Sequence, residues 1–187
     1  MFDSQADIAA VAYGPGADPD GLLRGFAENL AHGGHRAVGL IQASRRSVVT
    51  HDTLSAIALP TGTALSLRHD RHPSPTGCHL DADELVAART QLAHAIAQGA
   101  DLVIINRFGK LELRGGGFLA EIRQAVAADI PVLIAVPLPL FAAWTRFCHG
   151  MCVKLACERH PLDVWWRRIS RPRRDRPTDE DFHTLGK

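Results

Sequence analysis

With 187 residues, 46% of them hydrophobic, the chain suits one domain large enough to bury a core. Its 21 Lys and Arg stand against 20 Asp and Glu, and a net charge of +1 gives no general case for nucleic-acid binding. No apolar run approaches the roughly 20 residues that a membrane span needs. MFDSQAD puts acids ahead of the first apolar segment, the wrong order for a secretory signal. Cys78, Cys148, Cys152 and Cys157 are too sparse for a secreted disulfide framework, so a cytoplasmic protein with free thiols is expected.

Residues 8–13, IAAVAY, read as a strand closed by the Gly14-Pro15-Gly16 turn. Asp18 or Asp20 can cap the next helix, and Pro19 suits its first turn. Leu22, Leu23, Phe26 and Leu30 share a face of that helix, and Gly33-Gly34 ends it. The apolar segment 35–41 completes a strand–helix–strand unit. Residues 48–58 and 63–69 are β-prone and separated by Leu59-Pro60-Thr61-Gly62, which predicts an inserted hairpin. The aperiodic stretch 70–79, DRHPSPTGCH, reads as a loop.

Asp81 or Asp83 caps a helix to about Gln98, and Gly99 stops it. Strand 101–106 leads into a loop with Gly115, Gly116 and Gly117, then a helix through Phe118, Ile122 and Val126. Pro131 opens VLIAV, whose lack of alternation suits a strand buried on both faces of a parallel sheet. A helix from about 138 to 153 is expected next. The sum is a three-layer α/β/α sandwich with a mostly parallel sheet and one inserted β-hairpin. Residues 1–161 are expected to form this single domain, and 162–187 an amphipathic, basic and partly mobile tail.

Ligands of such sheets bind at the carboxyl ends of the strands. The first loop there, GPGADPDG, has Gly16 and Gly21 at the spacing of a phosphate loop, but Leu22 and Leu23 stand where lysine and a hydroxyl are needed. Backbone N–H groups near Gly14 and Gly16 can still hold an anion, although Asp18 and Asp20 would repel it. The plain alternative is a tight turn with an Asp cap.

After strand 101–106 come Asn106-Arg107-Phe108-Gly109-Lys110. Asn106 is a poor magnesium anchor, and Arg107 stays protonated and cannot act as a base. Arg107, Lys110 and Arg114 favour an anion, and Glu112 is the one acid of this loop. Anion binding, a structural loop and catalysis all remain open here. Thr76-Gly77 offers a hydroxyl and a backbone N–H, and Cys78-His79 adds a thiol and an imidazole. Adjacent side chains on an extended segment point apart, which argues against a catalytic pair.

Cys148, Cys152, Cys157 and His160 lack a standard zinc spacing and are expected to be packed thiols rather than a metal site. His69, His72 and His79 show no convincing spacing either. Trp165 and Trp166 precede the arginine-rich stretch 167–176, RRISRPRRDR. They either dock on the domain or serve a homodimer or protein partner. Stacking on nucleic acid is the less expected use.

Several segments together resemble the bacterial family DUF2478: DGLLRGFAENLAHGGHRAVGL at 20–40, TGCHLD at 76–81, ADLVIINRFGKLE at 100–112, and 130–136. The resemblance spans residues 6–147. It implies a companion of molybdate transport, and hence molybdate or tungstate among anions. A more distant resemblance is to P-loop nucleoside-triphosphatases of the THEP1 kind and to molybdopterin-guanine-dinucleotide accessory proteins. These also carry a hairpin after their second strand. In the triphosphatases a DEIGKMEL-like segment matches NRFGKLEL, so Asn106 and Arg107 replace the acidic pair.

That resemblance implies a P-loop NTPase-like fold with a degenerate phosphate loop. The expected function is non-catalytic binding of molybdate, tungstate, phosphate or a nucleotide. Its expected site comprises Gly14, Gly16, Thr76, Gly77, Asn106, Arg107, Lys110 and Arg114, with no catalytic residue and no bound metal. The alternatives are a residual nucleoside-triphosphatase using Glu112 or a first-loop acid, and a scaffold acting through its C-terminal segment.

Overall fold

A computed structural model describes residues 7–42, 53–68 and 82–170. Seven strands form one sheet: β1 (Ile8–Tyr13), β2 (Ala37–Gln42), β3 (Thr53–Leu59), β4 (Ala64–Arg68), β5 (Leu102–Ile105), β6 (Val132–Pro137) and β7 (Val153–Ala156). Their spatial order is β4-β3-β2-β5-β6-β1-β7. The β2, β5, β6, β1 and β7 strands run parallel, whereas β3 and β4 join as an antiparallel hairpin. The mostly parallel sheet and the inserted hairpin are those expected from the sequence, whereas edge strand β7 is not.

Helices cover both faces because the strands are apolar on both. Ile8, Ala10, Val103, Ile105, Val132 and Ile134 face a layer made of α2 (Ala82–Ala97), α4 (Leu119–Ala127) and α5 (Phe141–Phe147). Ala9, Val11, Leu102, Ile104, Leu133 and Ala135 face α1 (Pro19–His32) and α6 (Arg159–Ile169). Adjacent residues of one strand thus enter opposite cores, as a pleated strand requires. Gly39 matters at the β2–β5 pair. Its φ is 151°, and a Cβ there would collide with the Ile104 backbone.

Two regions depart from expectation. The helix expected over 138–153 is instead a 3-10 turn, Leu138–Leu140, followed by the short α5. His149 and Gly150 then take φ values of 52° and 76°, which ends the helix and turns the chain into edge strand β7. The loop after β5 also contains a short helix, α3 (Lys110–Leu113).

The expected division between 161 and 162 falls inside α6, whose Leu162, Trp165 and Trp166 are buried. Trp166 meets Phe26 edge-on at 6.4 Å. Those indoles therefore dock on the domain. Arg167 and Arg168 remain exposed, and 171–187 lie outside the described residues.

Candidate functional site

The β1–α1 turn lies at the carboxyl edge of the sheet. Gly16 takes a φ of 83°, and the Ala17 N–H donates to the Gly14 carbonyl at 3.3 Å. The Gly21 N–H donates to Asp18 Oδ1 at 2.9 Å, so Asp18 is the cap. A carboxylate of the protein itself therefore occupies the positive end of α1. Leu23 is fully buried and Leu22 packs against the same core, so the two leucines serve packing.

The segment following β5 separates its side chains by role. Asn106 Nδ2 donates to Gln42 Oε1 at 3.5 Å, while its Oδ1 is buried and has no partner among the described residues. Arg24 approaches from α1, with Nη2 donating to the Gln42 carbonyl at 3.4 Å and Nε buried without a partner among the described residues. Arg107 is exposed and reaches Asp20, its Nη2 lying 3.4 Å from Oδ1 and 3.5 Å from Oδ2. The guanidinium also lies 5.9 Å from the centre of the Tyr13 ring. Phe108 points into the core beside Trp144, and its N–H donates to the Ala135 carbonyl at 2.8 Å.

Glu112 is buried and fully engaged. Its Oε2 accepts from the Gly109 N–H at 2.9 Å and its Oε1 from the Phe118 N–H at 3.2 Å. These bonds tie both ends of the α3 loop together. Gly117 accommodates the carboxylate, since a Cβ at its φ of 59° would strike Glu112 Oε1. Lys110 opens α3 and Arg114 follows its end, both exposed to solvent.

The edge near β1 is acidic and partly desolvated. Burial raises the Tyr13 pKa, and Asp20 and Cys157 push the same way while Arg107 opposes them. The Cys157 thiol is also raised, first by burial and then by Asp18, Asp20 and Glu158. The structure thus brings together Asp20, Arg107 and Tyr13, with Asn106, Gln42 and Arg24 next to them.

Of the expected ligand residues, Gly14 and Gly16 form the turn, and Asn106 and Arg107 hold the end of β5. Thr76 and Gly77 lie outside the described residues, as do His69, His72, Cys78 and His79. The sequence does not mark Tyr13, Arg24 and Gln42 as site residues, and it offers Cys157 only as a candidate metal ligand. Tyr13 and Gln42 end strands and Cys157 directly follows one, so the carboxyl-edge rule was the available signal.

Cys148 and Cys152 pack on one face of the sheet and Cys157 on the other. Among the described residues, no three His, Cys, Asp or Glu side chains are grouped to hold a metal. Nor is any described helix long and apolar enough to cross a membrane.

This is a P-loop NTPase-like α/β fold whose β1–α1 turn is followed by acids and leucines. The chain belongs to the family described as protein of unknown function DUF2478, whose model matches residues 8–165. The structure is similar to the crystal structure of THEP1 from Aquifex aeolicus. The TM-score is 0.60 and the identity 17%, over 87% of this chain and 96% of that one. Over 173 residues the sequence is 39% identical to the molybdenum import ATP-binding protein ModC 2 of Bradyrhizobium diazoefficiens. That match takes in 90% of this chain but 19% of the relative's length.

Proposed function

We propose that this domain binds a small anion at the carboxyl edge without hydrolysing it, and does so in molybdenum handling. The ligand class is molybdate, tungstate, phosphate or the phosphate tail of a nucleotide. The observation carrying this reading is Arg107: an exposed guanidinium at the end of β5, beside a phosphate-type turn, held by long contacts to Asp20. A guanidinium offers five N–H donors and keeps its charge, so an oxyanion can share it with Asp20 or displace that carboxylate. Lys110 and Arg114 add positive charge on the same loop.

Three features favour binding over turnover. Asn106 and Arg107 stand where magnesium chemistry wants acids, Leu22 and Leu23 replace the phosphate-loop pair, and Glu112 is committed to two backbone donors. The molybdenum link rests on the named function of the longer relative.

The test is a thermal-shift screen with molybdate, tungstate, phosphate, sulfate, ATP and GTP, with and without magnesium. A ligand that binds the folded state raises the apparent melting temperature. The expected result is stabilisation by at least one anion, reduced in Arg107→Ala and Lys110→Ala, with no phosphate release. Unchanged affinity in both variants would sink the proposal.

A further inference from the structure

Cys148 closes α5 and Cys152 precedes β7, with a tight reversal between them. The Met151 N–H donates to the Cys148 carbonyl and the Gly150 N–H to that of Thr145, each at 2.8 Å. His149 and Gly150 supply the positive φ values that the reversal needs. Both cysteines are free and pack on the same apolar cluster, one on each side of this reversal. Cys148 is 6% exposed, and its thiol also donates to the Thr145 carbonyl at 3.5 Å. Cys152 is only partly buried and so is the one a solute reaches. Cys157 lies on the opposite face of the sheet and is not available to either.

We propose that Cys148 and Cys152 form a reversible dithiol–disulfide site, oxidised by low-molecular-weight disulfides, with Cys152 as the entering thiol and Cys148 as the resolving one. In the first step the Cys152 thiolate attacks one sulfur of the small disulfide, forming a mixed disulfide and releasing one small thiolate. In the second, Cys148 loses its proton to solvent and attacks the Cys152 sulfur, releasing the second small thiolate. The two cysteines lose two electrons and two protons, and the small disulfide is reduced to two thiols.

A disulfide needs Cα atoms about 4.4–6.8 Å apart, and the Met151-to-Cys148 bond folds the chain back between the two cysteines. Burial and the Cys152 contact push the Cys148 thiol up to about 12. It is therefore protonated at neutral pH, which makes the second step the slow one and speeds it as pH rises. The site adjoins Trp144 and Phe147, which pack on Phe108 within the loop that follows β5.

The experiment exposes the reduced full chain to glutathione disulfide, quenches with acid, denatures, alkylates and digests with trypsin. Arg146 and Lys154 bracket both cysteines, so they fall in one peptide, 147–154. In the wild type this peptide is expected to lose two hydrogen atoms, resist alkylation and regain both alkylatable thiols with dithiothreitol. Cys148→Ser should retain glutathione on Cys152, whereas Cys152→Ser should leave Cys148 alkylatable.

A wild-type peptide that still takes two alkyl groups would overturn the proposal. So would one that ends with glutathione on Cys152, or with Cys148 bonded to another cysteine. Should the buried Cys148→Ser variant fail to fold, the wild type and Cys152→Ser decide the matter.

Discussion

Arg107 and Asp20, 87 positions apart in the chain, meet across the carboxyl edge with Nη2 and Oδ1 3.4 Å apart. The Asp20 carboxylate is 13% exposed and the Arg107 side chain 41%. The pair closes over the turn where a phosphate-binding fold would hold its ligand. A carboxylate thus already occupies part of the arginine's capacity, and an incoming anion competes with it.

Asp20→Asn is therefore expected to strengthen anion binding by freeing Arg107. Its effect on stability should stay within about 1 kcal/mol, because a partly exposed ion pair contributes little. Calorimetric titration with molybdate and phosphate checks the first expectation, and urea unfolding checks the second. The Asp20→Asn gain should vanish in the double variant with Arg107→Ala.

Glu112 looks like a catalytic acid in sequence and works as a loop clamp in structure. Glu112→Ala strands two N–H groups and should cost about 2–6 kcal/mol, at roughly 1–3 kcal/mol for each unsatisfied buried group. Gly117→Ala should also destabilise by at least about 1–3 kcal/mol, from the strained φ alone. Denaturant midpoints would register both losses. A Glu112→Ala protein of wild-type stability would show that the clamp is unimportant.

The short C-terminal helix belongs to the core. Truncation before Arg159 removes Leu162, Trp165 and Trp166 and should unfold the domain, read as loss of cooperative melting. Replacing the exposed Arg167 and Arg168 with Ala should change stability by no more than about 0.5 kcal/mol each. A truncated chain that melts cooperatively would contradict this packing.

Alkaline pH should weaken the fold through Cys148. Its folded pKa is raised from 9.0 to about 12, so the unfolded state releases the proton first. The linked stability is complete below pH 9.0 and is lost as pH rises from there towards about 12. Cys148→Ala should flatten the stability curve over that window, measured by urea unfolding at a series of pH values.

Most of the fold was legible because its signals are local. Gly14-Pro15-Gly16 closes β1, Asp18 and Pro19 start α1, and VLIAV marks a strand buried on both faces. The error after Leu140 also has a local cause. His149 adopts a left-handed conformation that residue type alone does not announce, and four-residue β7 is too short for its alternation to stand out. The site was less legible because its pairs are distant in sequence. Arg24 and Gln42 are 18 positions apart, and Asn106 and Gln42 are 64 apart. Sequence pattern identified Asn106, Arg107 and Lys110 as chemistry-bearing residues, but not that Asp20 already holds Arg107.

The most direct test of anion binding without turnover is calorimetric titration of the full chain and Arg107→Ala with molybdate, phosphate and ATP–magnesium, followed by a phosphate-release assay on the same samples. The expected result is saturable binding of at least one anion by the wild type, weakened in Arg107→Ala, with no released phosphate. Sustained magnesium-dependent phosphate release, or binding that Arg107→Ala leaves unchanged, would contradict it.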